Sequence, residues 1–220
     1  MLFKEIILQT KNIDELYNFY KNKLQLNVSQ TSSKTISVNA GKTTLIFNQT
    51  NNSGKPFYHF AFNIPFNKIE EALQWLKDKV ELLWIEDYKN YIAEFTNWSA
   101  RSVYFLDAAG NIVELIARFD LHDEVNEIFS SHHIRNISEI GIVFSAEQYD
   151  EGVNEMMQQC QLEYFSKQPP LKHFRAIGDD EGLFIIVPQQ RNWYPTSIAS
   201  EIFPLSVVFE NNNGENSLEL

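Results

Sequence analysis

The chain has 220 residues, 44% of them hydrophobic and 14% aromatic, with 21% charged, which supports a buried core and excludes wholesale disorder. One cysteine, Cys160, excludes a disulfide framework or a multi-cysteine zinc site. No apolar run reaches the roughly 18 residues of a bilayer span, and Met-Leu-Phe-Lys-Glu at the start lacks the layout of a secretory signal, so a soluble, cytoplasmic protein is expected. Charge is uneven: residues 1–118 carry 13 cationic against 12 acidic side chains, and residues 119–220 carry 5 against 17, giving +1 and −12 and the total of −11. A surface this acidic repels phosphate backbones and anionic lipid, so neither nucleic acid nor membrane is an expected partner.

Taken in chain order, the elements repeat. Residues 2–10 read as a strand, and Ile13, Leu16, Tyr17, Tyr20 and Leu24 follow at helical spacing. Short strands are predicted near Leu26–Gln30, Thr35–Val38 and Thr43–Phe47, with Gly41-Lys42 as a turn. The order recurs: a strand at Phe57–Ile64, a helix at Ile69–Val80, then strands at Leu82–Glu86, Arg101–Leu106 and Asn111–Ala117. Asp107-Ala108-Ala109-Gly110-Asn111 turns the last pair as a hairpin, and the loop Asp87–Ala100 is rich in aromatics. Residues 119–135 read as a polar connector with a short helix in its middle and His132-His133 as plain linker. A third round follows: a strand at Ile137–Phe144, a helix at Glu147–Cys160, and strands at Phe174–Ile177, Leu183–Val187 and Leu205–Phe209. The stretch Asn211–Leu220 reads as a frayed polar tail. The predicted fold class is α+β, with three βαβββ units in curved mixed sheets. Units one and two (1–118) would form a paired domain, and 136–210 a third half-module.

Two strands carry candidate chemistry. In Tyr58-His59-Phe60-Ala61-Phe62-Asn63, period two puts His59, Ala61 and Asn63 on one face, leaving room beside the imidazole. In Ile112-Val113-Glu114-Leu115-Ile116, a carboxylate sits inside an apolar strand, which is costly unless it is paired or bound to a cation. Glu5, ahead of Ile6-Ile7-Leu8, offers a third donor. Two carboxylates and one neutral imidazole carry charge −2, and the mixed oxygen and nitrogen set suits Zn, Mn, Fe, Ni or Co. Three protein ligands leave positions open for water or substrate. By spacing alone, His59 can equally be a satisfied half-buried residue, and Glu5 can lie on an exposed strand.

The paired βαβββ units resemble the vicinal oxygen chelate superfamily, which includes glyoxalase I, fosfomycin-resistance thiol transferases, bleomycin-binding proteins and extradiol dioxygenases. Three segments carry the resemblance: Ile6–Tyr20 ending in Phe19-Tyr20, His59-Phe60-Ala61-Phe62, and the hairpin Ser102-Val103-Tyr104-Phe105-Leu106-Asp107-Ala108-Ala109-Gly110-Asn111-Ile112-Val113-Glu114-Leu115. It covers residues 2–118 well and 137–209 more loosely. It implies a glyoxalase-like fold, with His59 and Glu114 as metal ligands and Glu5 at the first-strand ligand position, where the family usually has His or Gln. Leu45 stands at the fourth ligand position of glyoxalase I, so a three-ligand site is implied. The third unit, with Glu139 opposite Glu5 and Ile186 opposite Glu114, is expected to lack a site and act structurally.

The leading reading is a metal-dependent lyase, isomerase or thiol transferase acting on a small substrate with vicinal oxygens. The metal would stabilise an enediolate or alkoxide, and Glu114 or Glu5 would shuttle a proton. Substrate contacts are expected from Trp98 and Tyr91 on the aromatic loop and from Arg101 or Tyr104. These two sit three apart on a strand, so only one can face the cavity. Arg191 beside Trp193 suits packing, stacking or an anion. The rival reading is a metal-free module of the bleomycin-resistance type that sequesters a cationic ligand. An unpaired third half-module would leave an open sheet edge, so a homodimer is expected, unless that unit packs against the first two within one chain.

Overall fold

The computed structural model describes residues 1–220. The first unit runs β1 (Leu2–Thr10), α1 (Ile13–Asn18) with a π-helical turn over Phe19–Lys23, β2 (Asn27–Ser32), β3 (Thr35–Ala40) and β4 (Thr43–Gln49). The second runs β5 (His59–Ile64), α2 (Ile69–Lys77), β6 (Ile92–Phe95), β7 (Ala100–Leu106) and β8 (Ile112–Arg118). Then come β9 (Asn136–Phe144), α3 (Tyr149–Cys160), β10 (Arg175–Asp179), β11 (Gly182–Pro188), β12 (Leu205–Asn211) and β13 (Gly214–Glu219).

The strands form two mixed sheets. One has the order β13-β12-β1-β4-β3-β2, and the other β10-β11-β9-β5-β8-β7-β6. The first unit therefore shares a sheet with the C-terminal hairpin, whereas the second unit shares one with the third through the antiparallel pair β5–β9. This corrects the expectation that units one and two form the paired domain. It also removes the reason given for a homodimer, because the third unit finds its partner within the chain.

Alternation along the strands decides which faces meet. Phe3, Ile6 and Leu8 of β1, Leu45 and Phe47 of β4, Phe60 and Phe62 of β5 and Val113 and Leu115 of β8 all enter one continuous buried cluster. The helices close it with their apolar stripes: Ile13 and Leu16 from α1, Ile69, Ala72, Leu73 and Leu76 from α2, and Val153, Met156 and Cys160 from α3. A buried hydroxyl links the two sheets, since Thr43 Oγ1 donates to the Phe3 carbonyl at 2.8 Å and accepts from the Ile137 amide at 3.1 Å. Gly41 is required beside it. Its φ is +63°, and a Cβ there would stand 2.0 Å from the Arg135 carbonyl oxygen.

Three local expectations fail for physical reasons. The predicted strand Leu82–Glu86 reduces to two isolated bridges, Leu82 to Phe105 and Ile85 to Asn90, because most of the free edge of β7 is occupied by β6 from inside the predicted aromatic loop. The tail is not frayed: Gly214, at φ +112°, closes a hairpin and Leu218 of β13 is buried, while Glu215, Ser217 and Glu219 face solvent along the sheet edge. The connector has no helix in its middle. It has 3-10 turns at Phe119–Leu121 and Ser131–His133, the second capped by Ser130, whose amide donates to His133 Nδ1 at 3.0 Å.

Candidate functional site

The hairpin between β7 and β8 builds the site. Asp107 is buried and accepts from the Ala109 and Asn111 amides at 2.9 and 3.0 Å, from the Asn111 side chain at 2.7 Å and from the Tyr20 hydroxyl at 2.7 Å. Asn111, so fixed, accepts from the Tyr58 amide at 2.8 Å, and the Ile112 amide donates to the Tyr58 carbonyl at 2.8 Å. The start of β5 is thereby pinned to the start of β8. His59 Nδ1 then lies 3.1 Å from the Ile112 carbonyl. That contact makes Nδ1 the protonated nitrogen and leaves the Nε2 lone pair free.

Nε2 points at two carboxylates, Glu114 Oε2 at 3.7 Å and Glu139 Oε2 at 3.9 Å. Their donor atoms lie within 4.8 Å of one another. Register explains the convergence. Ala61 of β5 pairs with Glu114 of β8 on one side and with Glu139 of β9 on the other, and His59 is the same-face residue two positions earlier. All three are buried, His59 at 6%, Glu114 at 2% and Glu139 at 3% exposed.

The electrostatics are those of a cation site. Arg118, fully buried four residues after Glu114, pairs with Glu139 and reaches Asp180 at 3.3 Å. Lys167 continues the chain of charges, 2.7 Å from both Asp180 and Asp120. Glu114 has no such cation, so burial first, and the Glu139 charge second, push its pKa up to about 7 against the pull of His59, Ser102 and Arg118. Ser102 Oγ, close enough to favour the charged carboxylate, is nevertheless buried without a hydrogen-bond partner. Burial depresses His59, but a hydrogen bond to Glu139 and the charges of Glu114 and Glu139 outweigh it and raise the ring. One imidazole lone pair and two buried carboxylates, only one of them matched by a cation, fit a divalent ion.

The cluster forms the floor of a cavity of about 280 Å³. Tyr104, paired with Glu114 across β7 and β8, lines one side, and its hydroxyl pKa is raised well above the usual value, by burial first. Trp193 covers His59 with ring centroids 5.3 Å apart, and lies so close to Gly141 that a Cβ there would stand 2.7 Å from the indole. Trp98, Phe95, Phe174 and Tyr194 complete an aromatic wall. Trp98 is held edge-on to Phe165 at 5.2 Å and donates from Nε1 to Gln168 at 3.2 Å.

Of the residues singled out in the sequence, His59, Glu114, Tyr104 and Trp98 meet here. Glu5 does not: it lies on β1 in the other sheet, paired with Thr44 and Val208, and Glu139 of the third unit takes its place. The third unit is therefore part of the site. Its residue equivalent to Glu114 is Ile185, which pairs with Gly141 two positions beyond Glu139, so the fourth corner is apolar. Arg101 faces away and pairs with Glu70 at 2.5 Å and Glu94 at 3.5 Å, leaving Tyr104 to face the cavity. Tyr91 packs on Trp84, ring centroids 5.1 Å apart, outside the cavity. Arg118 and Glu139 had a signal in the sequence, since each is a charge at an apolar-alternating position within a strand, as Glu114 is.

Comparisons with known proteins bear on the fold. A Bacillus subtilis protein assigned as a dioxygenase superposes with TM-score 0.60 at 13% identity, over 100% of this chain and 84% of its own. Lactoylglutathione lyase from Agrobacterium tumefaciens matches with TM-score 0.42 at 18% identity, over 52% of this chain and 90% of its own. A fosfomycin resistance protein from Listeria monocytogenes, solved with Mn(II) and sulfate, matches with TM-score 0.41 at 20% identity, over 54% and 90%. No family model matches the chain, and no curated protein matches it. The whole chain thus shares its fold with the Bacillus subtilis protein, in keeping with the glyoxalase-like fold that the sequence resemblance implied. No helix is long and apolar enough to cross a membrane.

Proposed function

We propose that this protein is a metal-dependent enzyme of the glyoxalase-like type. His59, Glu114 and Glu139 would hold a divalent ion, and the aromatic cavity would take a small substrate through two neighbouring oxygens. The observation that carries this reading is the buried His-Glu-Glu cluster with one unmatched carboxylate, opening onto that cavity. When bound, the ion supplies Lewis-acid polarisation of the substrate oxygens.

The chain's own residues supply the rest. In the metal-free protein the raised pKa of Glu114 marks a carboxylate that takes up a proton readily, so Glu114 would suit proton transfer on leaving the ion. Tyr104 stays protonated and acts as a hydrogen-bond donor beside Glu114. Arg118 holds Glu139 in place, and Trp193 and Tyr194 exclude water from the reacting face. Isomerisation or lyase chemistry on a hydroxy-carbonyl adduct and thiol transfer to an electrophile both suit this arrangement.

The test is turnover of aromatic hemithioacetals, and of epoxides with added thiol, by metal-free protein and by protein loaded separately with Mn, Zn, Ni, Co or Fe. Activity that needs metal and disappears in Glu114→Gln supports the reading. Correctly folded protein that takes up no metal and turns over neither class would favour metal-free ligand sequestration instead.

A further inference from the structure

Arg191 differs from the other four arginines of the chain. Arg101, Arg118, Arg135 and Arg175 each pair with a carboxylate, whereas the polar contact of Arg191 is a 3.4 Å hydrogen bond to the carbonyl of its neighbour Asn192. It is half-buried in the part of the chain that carries 17 carboxylates against 5 cations, so the lack of a partner is not for want of candidates. Its guanidinium lies over the Phe174 ring, 5.2 Å from the centroid, a cation–π contact that leaves its remaining N–H groups free.

Its position joins two spaces. Arg191 lines the cavity above the His-Glu-Glu cluster and also an adjoining groove of about 440 Å³, where Lys172 and His173 stand beside it. The groove has one carboxylate, Asp150, engaged by Arg175 at 3.2 Å. The mouth of the cavity is thus cationic on a strongly acidic surface. Such a local inversion of sign draws in an anion and disfavours the cationic ligand of the sequestration reading.

We propose that Arg191 is the anion-binding residue of the cavity, taking a carboxylate or phosphate at the end of the substrate remote from its metal-binding oxygens. The apolar body between these ends would lie along Phe174, Trp193 and Tyr194. The placement of the second end rests on the metal reading of the cluster, whereas the anion site rests on Arg191 alone.

The test uses Trp98 and Trp193 as fluorescent reporters. 3-Phenylpropanoate, 2-phenylethyl phosphate and the neutral 3-phenylpropanamide are titrated into metal-free and Mn(II)-loaded protein, alongside benzohydroxamate and 4-carboxybenzohydroxamate. At least one anion is expected to bind about tenfold or more tightly than the amide, as one charge-assisted contact implies. That preference should collapse in Arg191→Gln and survive in part in Arg191→Lys, with the thermal midpoint of both variants unchanged. The better of carboxylate and phosphate names the class. Equal binding of anions and amide in both forms, or a preference that persists in Arg191→Gln, would overturn the proposal. Failure of both hydroxamates on Mn(II)-loaded protein, with the anion preference intact, would remove the metal reading and leave the anion site standing.

Discussion

The two sheets of this molecule share one plan, and only one of them gathers the candidate site. In the second sheet, Ala61 is flanked by Glu114 and Glu139, with His59 two residues before it. In the first sheet the corresponding residue is Ile7, flanked by Ile46 of β4 and Ser206 of β12, with Glu5 two residues before it. One scaffold position therefore reads His-Glu-Glu on one sheet and Glu-Ile-Ser on the other. The surroundings differ as well. Trp193, Trp98 and Tyr104 wall the second sheet, while Ile7, Ile46 and Val208 stay partly exposed on the first. A lone partly exposed carboxylate costs little in water, whereas Glu114, buried and with no cation paired to it, calls for a proton or a metal. The fold supplies the geometry twice, and a few side chains decide where chemistry follows.

The largest effect that sharpens this contrast is on metal binding: His59→Ala should weaken it about 100-fold or more, since removal of one of three ligands exceeds the 10- to 100-fold typical of a supporting residue. Competition against a chelating dye measures it. Next, Arg118→Leu should destabilise the metal-free protein by roughly 3–5 kcal/mol, because Glu139 and Asp180 lose their buried cation. Urea denaturation reads this loss, and saturating metal should restore part of it.

A smaller effect depends on pH. The folded pKa of Glu114 is raised to about 7, above its unfolded value of 4.5, so the folded state binds the extra proton between these limits. Its stabilising contribution is complete below pH 4.5 and is lost as pH rises through 7, on the order of 3 kcal/mol in all. The raised His59 has the same sign. Metal-free wild type should therefore lose stability from pH 5 to 8, and Glu114→Gln should lose less. With metal bound the trend should reverse, because ligation requires the deprotonated carboxylate. The smallest effect is that of Gly141→Ala, whose methyl would meet Trp193, at a cost of about 1–3 kcal/mol and a changed tryptophan emission.

Most of the fold was legible in the sequence because its signals are local. Apolar runs marked β1, β5 and β9, the 3.6 spacing marked α1 and α2, and Asp107 to Asn111 marked the hairpin that pins His59 beside β8. Pairing between distant units was not legible, because no local signal says whether β5 takes β1 or β9 as its neighbour. The misplacement of Glu5 follows from that one choice. Glu5 does occupy the first-strand position, but on the sheet that lacks His59 and Glu114. Glu139 carried the same signal as Glu114, a carboxylate inside an apolar strand, and only the assumption that the third unit stood alone concealed its role. Arg191 had the opposite difficulty: its significance lies in having no carboxylate partner, which only the three-dimensional arrangement shows.

The most direct test of a site shared between units two and three is metal content by elemental mass spectrometry, after dialysis against a defined metal mixture, for wild type, Glu139→Gln and Glu5→Gln. Near-stoichiometric metal in wild type and Glu5→Gln, lost in Glu139→Gln, is the predicted result. Metal retained in Glu139→Gln but lost in Glu5→Gln, or absent from correctly folded wild type, would contradict it.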